Sequence, residues 1–349
     1  MIFLSDDIDM SKFILGTTSG TGGNPLKMYI PKNRHIIELG TMHYLWENVG
    51  FHHDIRAVIR RKKLADNVNF IINPITKEII FDGFRLNDDY FHIIYSVIHR
   101  FQVPYIHAYP STAYEFSKFV VKNKLDLSFV KSFLSGSENV YEYQKQFIRN
   151  KAKVNFYNWY GHSEKLILAG YCKHSDNYHI EPTYGYFELI DEDGNQITTP
   201  GQEGEIVGTT LHNYGMPMIR YKTGDYAEYV GDYCEYCQRN VPLIRNIEGR
   251  KLGLKVYGAD ESVINIIALR LPDDLYTYLG GVQYVQKEKG KLDVLIIKGD
   301  KFTQEHDKQL KDFYRSRLSD NMIIRIQYVY QLLRKPNGKF IELMSEIKE

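Results

Sequence analysis

A stretch rich in glycine and hydroxyl residues lies near the start of the chain and reads "ILGTTSGTGGNPLKMY" (residues 14–29). Glycine loses more conformational freedom on folding than any other residue, so such a run is costly to order. Successive backbone N–H groups of a glycine-rich turn form a concavity that binds anions. Lys27 adds a positive charge, and hydroxyl donors come from Thr17, Thr18, Ser19 and Thr21. We therefore expect this stretch to bind phosphate.

The residues of this stretch leave one alternative open, a solvated turn between two strands. They exclude the P-loop of other nucleotide-binding proteins, because no Gly-Lys-Ser/Thr sequence closes the stretch. The rest of the chain must therefore decide whether the stretch binds a ligand.

Composition and charge exclude several classes of protein. The 349-residue chain is 43% hydrophobic and 25% charged, as is ordinary for a globular protein, and its net charge of +1 indicates no general attraction to nucleic acid or membranes. No apolar run is long enough to span a bilayer, and "MIFLSDDIDM" at the N-terminus lacks the pattern of a signal peptide. We expect a cytoplasmic protein with no nucleic-acid or membrane partner.

The hydrophobic pattern predicts two domains. Helical spacing covers residues 32–48, 88–101 and 111–124, and in the last of these Ser111 or Thr112 is the expected N-cap, with Glu115 in a capping box. Strand patterns cover residues 153–161, 204–211 and 218–230, and an Asp-Gly turn within residues 184–197 predicts a hairpin. After residue 250 come a strand (291–299), a helix (303–318) and a strand (323–333). We predict a mixed α/β chain with a large N-terminal domain, residues 1–249, and a small α+β C-terminal domain, residues 250–349.

Six short segments resemble, in order, signature segments of the adenylate-forming (AMP-binding) enzyme superfamily. They correspond to its phosphate loop, its Tyr-Gly-x-Ser/Thr-Glu segment, its Gly-Glu strand, its Tyr-Arg-Thr-Gly-Asp segment, its Gly-Arg hinge and its C-terminal Gly-Lys loop. The segments are "TTSGTGGNPLK" (17–27), "NWYGHSEK" (158–165), "GEIVGTTL" (204–211), "RYKTGD" (220–225), "IEGRKLGL" (247–254) and "LLRKPNGKF" (332–340). Within the superfamily, "AYPST", "SGSE", "MPMIRYKTGD" and a cysteine pair before the hinge look most like the phenylacetate–CoA ligase branch. That branch includes the CapK-like proteins of capsule biosynthesis and coenzyme F390 synthetase.

The resemblance implies a fold, a reaction and a set of site residues. The fold is that of adenylate-forming enzymes, with a mobile C-terminal domain, and the reaction joins a carboxylate to the α-phosphate of ATP with loss of pyrophosphate. Lys339 would bridge the two anionic groups in the transition state, Glu164 would hold Mg²⁺, and Asp225 would accept hydrogen bonds from the ribose. The other implied nucleotide-binding residues are Thr18, Ser19, Gly20, Thr21, Gly22, Gly23, Ser135, Gly136, Glu138, Tyr160, Gly161, Ser163 and Arg250.

Each of these residues also has an ordinary structural interpretation. Tyr160 is one aromatic residue among 28 tyrosines, and Glu164 fits a surface acid at a helix start. Asp225 fits a turn cap, and Lys339 after Asn-Gly fits a solvated hairpin. The ordered set of segments, rather than any single residue, favours the catalytic interpretation.

The three cysteines indicate a structural zinc site. Cys234 and Cys237 form a C-x₂-C pair, and Cys172 begins the segment "CKHSDNYH", which offers His174 or His179 as the fourth ligand. His179 is favoured because it stands where the family has a histidine. The alternative is three buried thiols that pack as small apolar groups.

Two departures from the family pattern widen the functional alternatives. Only 16 residues precede Thr17, which indicates either a fragment or a compact member whose exposed apolar surface is covered by a second copy or a partner subunit; mass in solution tests this. Leu252 stands where the family has an acidic hinge residue, so the acyl acceptor is CoA or another group. The alternatives are an adenylyl transferase or amide-forming enzyme with a non-CoA acceptor, and a catalytically silent binding subunit.

Overall fold

The computed structural model describes residues 4–5, 8–17, 26–60, 62–249, 255–260, 262–269, 271–276, 278–317, 322–334 and 340–347. Contacts divide the chain into two compact units. The first comprises Met1–Val140 and Gln144–Arg250, and the second comprises Tyr141–Tyr143 and Lys251–Glu349. Among the described residues, none of the helices combines the length and apolar character needed to cross a membrane.

The elements up to residue 250 alternate between helices and strands in the first half and are mainly strands afterwards. The helices are α1 (Arg34–Trp46), α2 (Asp88–Arg100), α3 (Pro110–Lys122) and α4 (Glu142–Asn150), with 3-10 turns at Met10–Lys12 and Glu47–Val49. The strands are β1 (Phe13–Thr17), β2 (Lys27–Pro31), β3 (Arg56–Ile59), β4 (Phe70–Asn73), β5 (Glu78–Phe81), β6 (Tyr105–Ala108), β7 (Ser132–Gly136), β8 (Asn155–Gly161), β9 (Leu168–Gly170), β10 (Tyr178–Ile180), β11 (Gly185–Ile190), β12 (Glu203–Thr210), β13 (Tyr221–Gly231) and β14 (Leu243–Glu248).

Twelve of these strands form one sheet in the order β11-β12-β13-β14-β10-β9-β8-β7-β6-β3-β5-β4. Its centre is parallel: β3 pairs in parallel with β5 and β6, β6 with β7, and β7 with β8. The carboxyl ends of β3, β6, β7 and β8 therefore meet at one edge, where ligands bind in open α/β sheets. The phosphate-loop segment is flanked by β1 and β2, which pair with each other as an antiparallel ribbon.

The helices follow from capping and apolar spacing. Asn87 caps α2, since its side chain accepts a hydrogen bond from the amide of Tyr90 at 2.9 Å. The predicted cap of α3 is wrong, because the helix begins at Pro110 and its N-cap is Tyr109. Proline is preorganised for the first helical position, and the amide of Ser111 bonds instead to the carboxylate of Glu138 at 3.1 Å.

The predicted hairpin within residues 184–197 is only half right. β11 forms, but after the Asp-Gly turn the chain returns as an isolated bridge between Ile190 and Gln196. The strand that pairs along the whole of β11 is β12, which lies on the other edge of β11.

The second unit is a small α+β body. Its elements are β15 (Lys255–Tyr257), β16 (Val263–Asn265), a 3-10 turn (Ile266–Leu269), α5 (Asp273–Tyr276), β17 (Leu279–Gln286), β18 (Lys291–Lys298), α6 (Gln304–Arg317), β19 (Ile323–Tyr328) and β20 (Leu343–Ser345). A four-stranded sheet runs β19-β18-β17-β20. Tyr284 and Tyr314 are fully buried in its core. The mixed α/β class predicted from the sequence is confirmed.

Candidate active site

The central contact of the candidate site joins β8 to β13. The hydroxyl of Tyr160 donates a hydrogen bond to Oδ2 of Asp225 at 2.8 Å, across 65 residues of sequence. Burial, together with the carboxylate of Asp225, raises the pKa of Tyr160 well above its ordinary value, so the phenol stays a neutral donor. Two residues selected from separate sequence segments are thus brought into direct contact.

A bulge in β13 positions Asp225. Val207 of β12 pairs with Lys222 and Glu205 pairs with Tyr226, so Thr223, Gly224 and Asp225 together stand opposite a single residue. Gly224 has φ of +76°, which favours glycine. Two hydrogen bonds hold the bulge: the hydroxyl of Thr223 donates to Ile206 O at 2.7 Å, and the amide of Gly224 donates to Glu205 at 3.0 Å. The "TGD" sequence therefore forms a bulge that places the carboxylate of Asp225 next to Tyr160.

Gly249 brings the start of the hinge segment to the same place. Its amide donates to Oδ1 of Asn139 at 3.3 Å. A Cβ on Gly249 would lie 3.5 Å from Asn139 Oδ1 and also 3.5 Å from Asp225 Oδ1. Asn139 is not among the site residues predicted from the sequence. Its position directly after "SGSE" is the one feature of the sequence that could have identified it.

Glu164 lies in a turn between β8 and β9. Its carboxylate is 3.3 Å from Nδ1 of His162, and both side chains are 10% exposed. The alternative that placed Glu164 on the surface at a helix start is therefore wrong, because the segment is a turn and the side chain is largely buried. The negative charge of Glu164 is the smallest of the causes that raise the pKa of Tyr160, after burial and the carboxylate of Asp225. Gly161 and Ser163 are half-buried in the same segment.

Two glycines of neighbouring strands support the turn that carries Glu164. A Cβ on Gly185 would lie 1.7 Å from the carbonyl oxygen of Leu166, and a Cβ on Gly208 would lie 2.7 Å from Leu166 Cβ. Leu166 is fully buried. Only glycine permits this close approach of β11 and β12 to the turn.

We expect Gly185→Ala to lower the free energy of unfolding by about 2–4 kcal/mol, because a backbone atom must move to admit the methyl group. Gly40→Ala is the matched control: apart from the backbone of α1 itself, none of the described residues has an atom within 4 Å of the Cβ position, so the change should stabilise the helix by up to about 1 kcal/mol. Urea unfolding of both variants measures this, and equal stability of Gly185→Ala and the wild type would contradict it.

The predicted site residues of the "SGSE" segment, Ser135, Gly136 and Glu138, have different surroundings in the structure. Ser135 is fully buried and its hydroxyl has no hydrogen-bond partner among the described residues. Gly136 lies against the indole of Trp159, where a Cβ would come within 2.5 Å of the ring. The carboxylate of Glu138 accepts a hydrogen bond from the amide of Ser111 at the start of α3. This contact favours a role for Glu138 in holding α3 against the carboxyl end of β7.

The proposed zinc ligands lie together. One ligand atom from each of Cys172, His179, Cys234 and Cys237 is within 4.8 Å of all the others. Nδ1 of His179 is 2.9 Å from the carbonyl oxygen of Asn177 and so donates to it, which leaves the Nε2 lone pair directed at Cys237 Sγ, 3.3 Å away. Burial lowers the pKa of His179 and keeps the ring neutral. His174 is exposed and is not part of this group.

Several predicted residues lie outside the described residues. They are the phosphate-loop residues Thr18, Ser19, Gly20, Thr21, Gly22 and Gly23, the hinge residue Arg250 and the C-terminal Lys339. Their roles stay predictions.

Comparison with known proteins supports the resemblance seen in the sequence. Residues 260–346 match the family described as the CapK C-terminal domain. Protein CapK from Staphylococcus aureus is 21% identical over 97% of this chain and 75% of its own length. Bacitracin synthase 2 from Bacillus licheniformis is 26% identical over 44% of this chain, which corresponds to 6% of that protein.

Solved structures share the fold at low identity. A 2-hydroxyisobutyryl-CoA ligase in complex with 2-HIB-AMP has a TM-score of 0.70 and 14% identity, covering 97% of this chain and 75% of that one. An anthranilate CoA ligase in complex with anthranoyl-AMP has a TM-score of 0.58 and 14% identity, with coverages of 93% and 65%. An amide bond synthetase from Marinactinospora thermotolerans has a TM-score of 0.58 and 12% identity, with coverages of 94% and 68%. The chain has the adenylate-forming enzyme fold, and the resemblance to that superfamily and to CapK-like proteins is confirmed.

Proposed function

We propose that this protein activates a carboxylic acid with ATP, forms an acyl-AMP and pyrophosphate, and transfers the acyl group to a thiol such as CoA or to another acceptor. The observation that carries the proposal is the constellation of Tyr160, Asp225 and Gly249 at the carboxyl ends of β7 and β8. Three sequence segments that resemble nucleotide-binding segments meet there. The fold relatives that are named as CoA ligases with bound acyl-AMP support the reaction class.

The nucleotide would lie against the Tyr160 ring, with the ribose at Asp225. The carboxylate of Asp225 already accepts one hydrogen bond from Tyr160. A carboxylate offers about four lone-pair sites, so it can also accept hydrogen bonds from ribose hydroxyls. The neutral phenol fixes the carboxylate in one orientation before the nucleotide arrives.

The chemistry of the first step needs charge neutralisation more than covalent help. An oxygen of the substrate carboxylate attacks the α-phosphorus, the bond from that phosphorus to the bridging oxygen breaks, and pyrophosphate leaves. Lys339 would lie between the two anionic groups and offset the charge that develops in the transition state. In the second step the acceptor attacks the acyl carbon and AMP leaves.

Two metal ions fit the residues present. The carboxylate of Glu164 is a hard oxygen ligand of the kind that Mg²⁺ prefers, and the ion would neutralise the phosphates of ATP. Cys172, His179, Cys234 and Cys237 supply the complete Cys₃His set of a structural zinc site. The fixed His179 tautomer, with Nε2 facing a cysteine sulfur, supports that assignment.

The acyl acceptor has two candidates. The fold relatives include both CoA ligases and an amide bond synthetase, and Leu252 replaces the acidic residue of the family hinge. An amide-forming or adenylyl-transferring enzyme with a non-CoA acceptor is therefore the alternative. Incubation with acid, ATP and either CoA or amines, followed by mass spectrometry of the products, distinguishes the two.

The proposed activity is tested by ATP–pyrophosphate exchange with pooled carboxylic acids. Acid-dependent exchange supports acyl-AMP formation, and division of the pool identifies the acid. Absence of exchange with every pool, together with absence of ATP binding in calorimetry, would instead favour the silent binding subunit.

We expect Asp225→Asn to weaken ATP binding by about 10- to 100-fold, because hydrogen bonds to a charged group contribute about 1.5–3 kcal/mol. Tyr160→Phe should weaken it by several-fold only, because the ring remains and one neutral donor is lost. Calorimetric titration with ATP measures both values. Asp191→Asn in the exposed β11 turn is the matched control, and an equal effect of Asp191→Asn and Asp225→Asn would contradict the assignment.

A further inference from the structure

A second polar cluster lies at the same sheet edge, around Arg60. Arg60 directly follows β3 at its carboxyl end and is 9% exposed. Its Nη2 donates to the hydroxyl of Ser137 at 3.1 Å, and its Nη1 contacts Nε2 of His107 on β6. The guanidinium is thus held in place at the ends of three neighbouring parallel strands, β3, β6 and β7.

Two aromatic rings enclose the guanidinium. Its carbon lies 4.7 Å from the centroid of Tyr109 and 5.8 Å from the centroid of Trp159. The Tyr109 hydroxyl and the Trp159 indole nitrogen are both buried, and no hydrogen-bond partner is present for either within the described part of the chain. Tyr109 is fully buried. Buried polar groups in native proteins nearly always have partners, so these two donors indicate a missing acceptor.

Gly136 makes the position of the indole possible. A Cβ at Gly136 would lie 2.8 Å from Trp159 Nε1. Any side chain at this position would displace the indole from the Arg60 cluster. The glycine of "SGSE" therefore shapes this cluster.

His107 adds no second positive charge. Burial, and then the neighbouring Arg60 and Arg56, lower its pKa well below the ordinary value. The imidazole also packs edge-on against Trp46 of α1, with ring centroids 5.2 Å apart. The cluster therefore contains one fixed cation, a phenol O–H and an indole N–H, and each of these groups is a hydrogen-bond donor of the kind that binds oxyanions.

The cluster and the proposed nucleotide site lie on opposite faces of one strand end. Trp159 and Tyr160 are consecutive in β8, and consecutive side chains of a strand point to opposite faces. A ligand that lies across the carboxyl edge reaches both faces. The carboxyl group to be activated would be near the nucleotide, and the rest of the acid would extend toward Arg60.

We propose that Arg60, Tyr109 and Trp159 bind a second oxyanion on the substrate, so that the acid activated by this protein carries a further negative group at the end distant from the reacting carboxylate. This inference rests on the proposed function, which identifies the other end of the substrate as the carboxylate that reacts with ATP. The donor set itself selects an oxyanion over an alkyl or aryl group, because a buried guanidinium interacts far more strongly with a charged acceptor than with an apolar surface.

The test compares acids of matched length in ATP–pyrophosphate exchange and in direct calorimetric binding. Each pair differs only at the distant end: glutarate against pentanoate, and 3-phosphonopropanoate against pentanoate. The wild type should prefer the doubly anionic acids by about 100-fold. Arg60→Met should remove that preference, raise KM or Kd for the doubly anionic acids by about 100-fold, and leave the Kd for ATP unchanged. Arg100→Met, at an exposed position of α2, should match the wild type throughout.

The outcomes separate this inference from the proposed function. A preference of the wild type for pentanoate, or an equal loss for both members of a pair in Arg60→Met, would overturn the inference even if exchange is observed. If no acid supports exchange, the proposed function fails, while Arg60-dependent binding of the doubly anionic acids would still support the oxyanion site.

Tyr109→Phe is a second variant, which keeps the ring and tests the site even if Arg60→Met does not fold. It should weaken binding of the doubly anionic acids by several-fold. A preference among glutarate and 3-phosphonopropanoate identifies the oxyanion as carboxylate or phosphonate.

Discussion

Replacing Cys237 with serine should release stoichiometric zinc and lower the melting temperature of the protein by about 10–20 °C. The four ligand atoms lie within 4.8 Å of one another and come from three chain segments around β9, β10 and the β13–β14 connection. In the described part of the chain the buried cluster around them is small: besides Cys172 and Cys234 it contains Val241 and Leu243, and Val230 packs against it. A structural zinc ion contributes about 10–16 kcal/mol in small zinc domains, so we expect the loss here to be about 5 kcal/mol or more, which corresponds to that shift in melting temperature for a unit of this size.

Metal analysis of the purified protein and thermal unfolding together measure this effect. His179→Ala should behave like Cys237→Ser, because its Nε2 faces the sulfur of Cys237. His174→Ala is the matched control: His174 is exposed and should retain both the zinc and the melting temperature. Wild-type protein without stoichiometric zinc, or a Cys237→Ser variant as stable as the wild type, would show that the cysteines pack only as small apolar groups.

The sequence indicates which segments carry the proposed site, but it does not indicate the geometry that brings Tyr160, Asp225 and Gly249 together. The "TGD" segment is recognised from its order in the chain. The position of the Asp225 carboxylate, by contrast, depends on a register shift between β12 and β13. That shift depends on how two strands pair, which a single sequence does not specify. Tyr160 is predicted from the sequence only as a nucleotide-binding residue, whereas the structure shows that its hydroxyl also donates a hydrogen bond to the carboxylate of Asp225.

The feature that the sequence predicts least is the cluster of Arg60, Tyr109 and Trp159. They lie directly after β3, at the N-cap of α3 and on β8, up to 99 residues apart, and no short motif connects them. Their proximity follows from parallel pairing, which aligns the ends of β3, β6, β7 and β8. The capping error at α3 has a related cause, since Glu138, from the end of the neighbouring strand, supplies the acceptor that local sequence attributed to Ser111 or Thr112.

Replacing Lys339 with alanine should lower acid-dependent ATP–pyrophosphate exchange by about 10²–10³-fold, while the Kd for ATP changes by only a few-fold. The reacting carboxylate and the α-phosphate are both anionic and repel each other as they approach. A lysine ammonium between them offsets that repulsion most strongly in the transition state, where the two oxygens share the phosphorus. The effect therefore belongs in kcat rather than in nucleotide affinity.

Two variants in the same segment separate the catalytic role from a general effect of charge. Lys335→Ala removes a cation four residues earlier in "LLRKPNGKF" and should leave exchange within about twofold of the wild type. Lys339→Arg keeps the charge but changes the donor geometry, and it should recover only part of the rate. If Lys335→Ala and Lys339→Ala slow exchange equally, the segment contributes a diffuse positive field, and the bridging role proposed for Lys339 is wrong. If only Lys339→Ala is slow and its Kd for ATP is unchanged, the lysine acts on the transition state, as charge between two approaching anions requires.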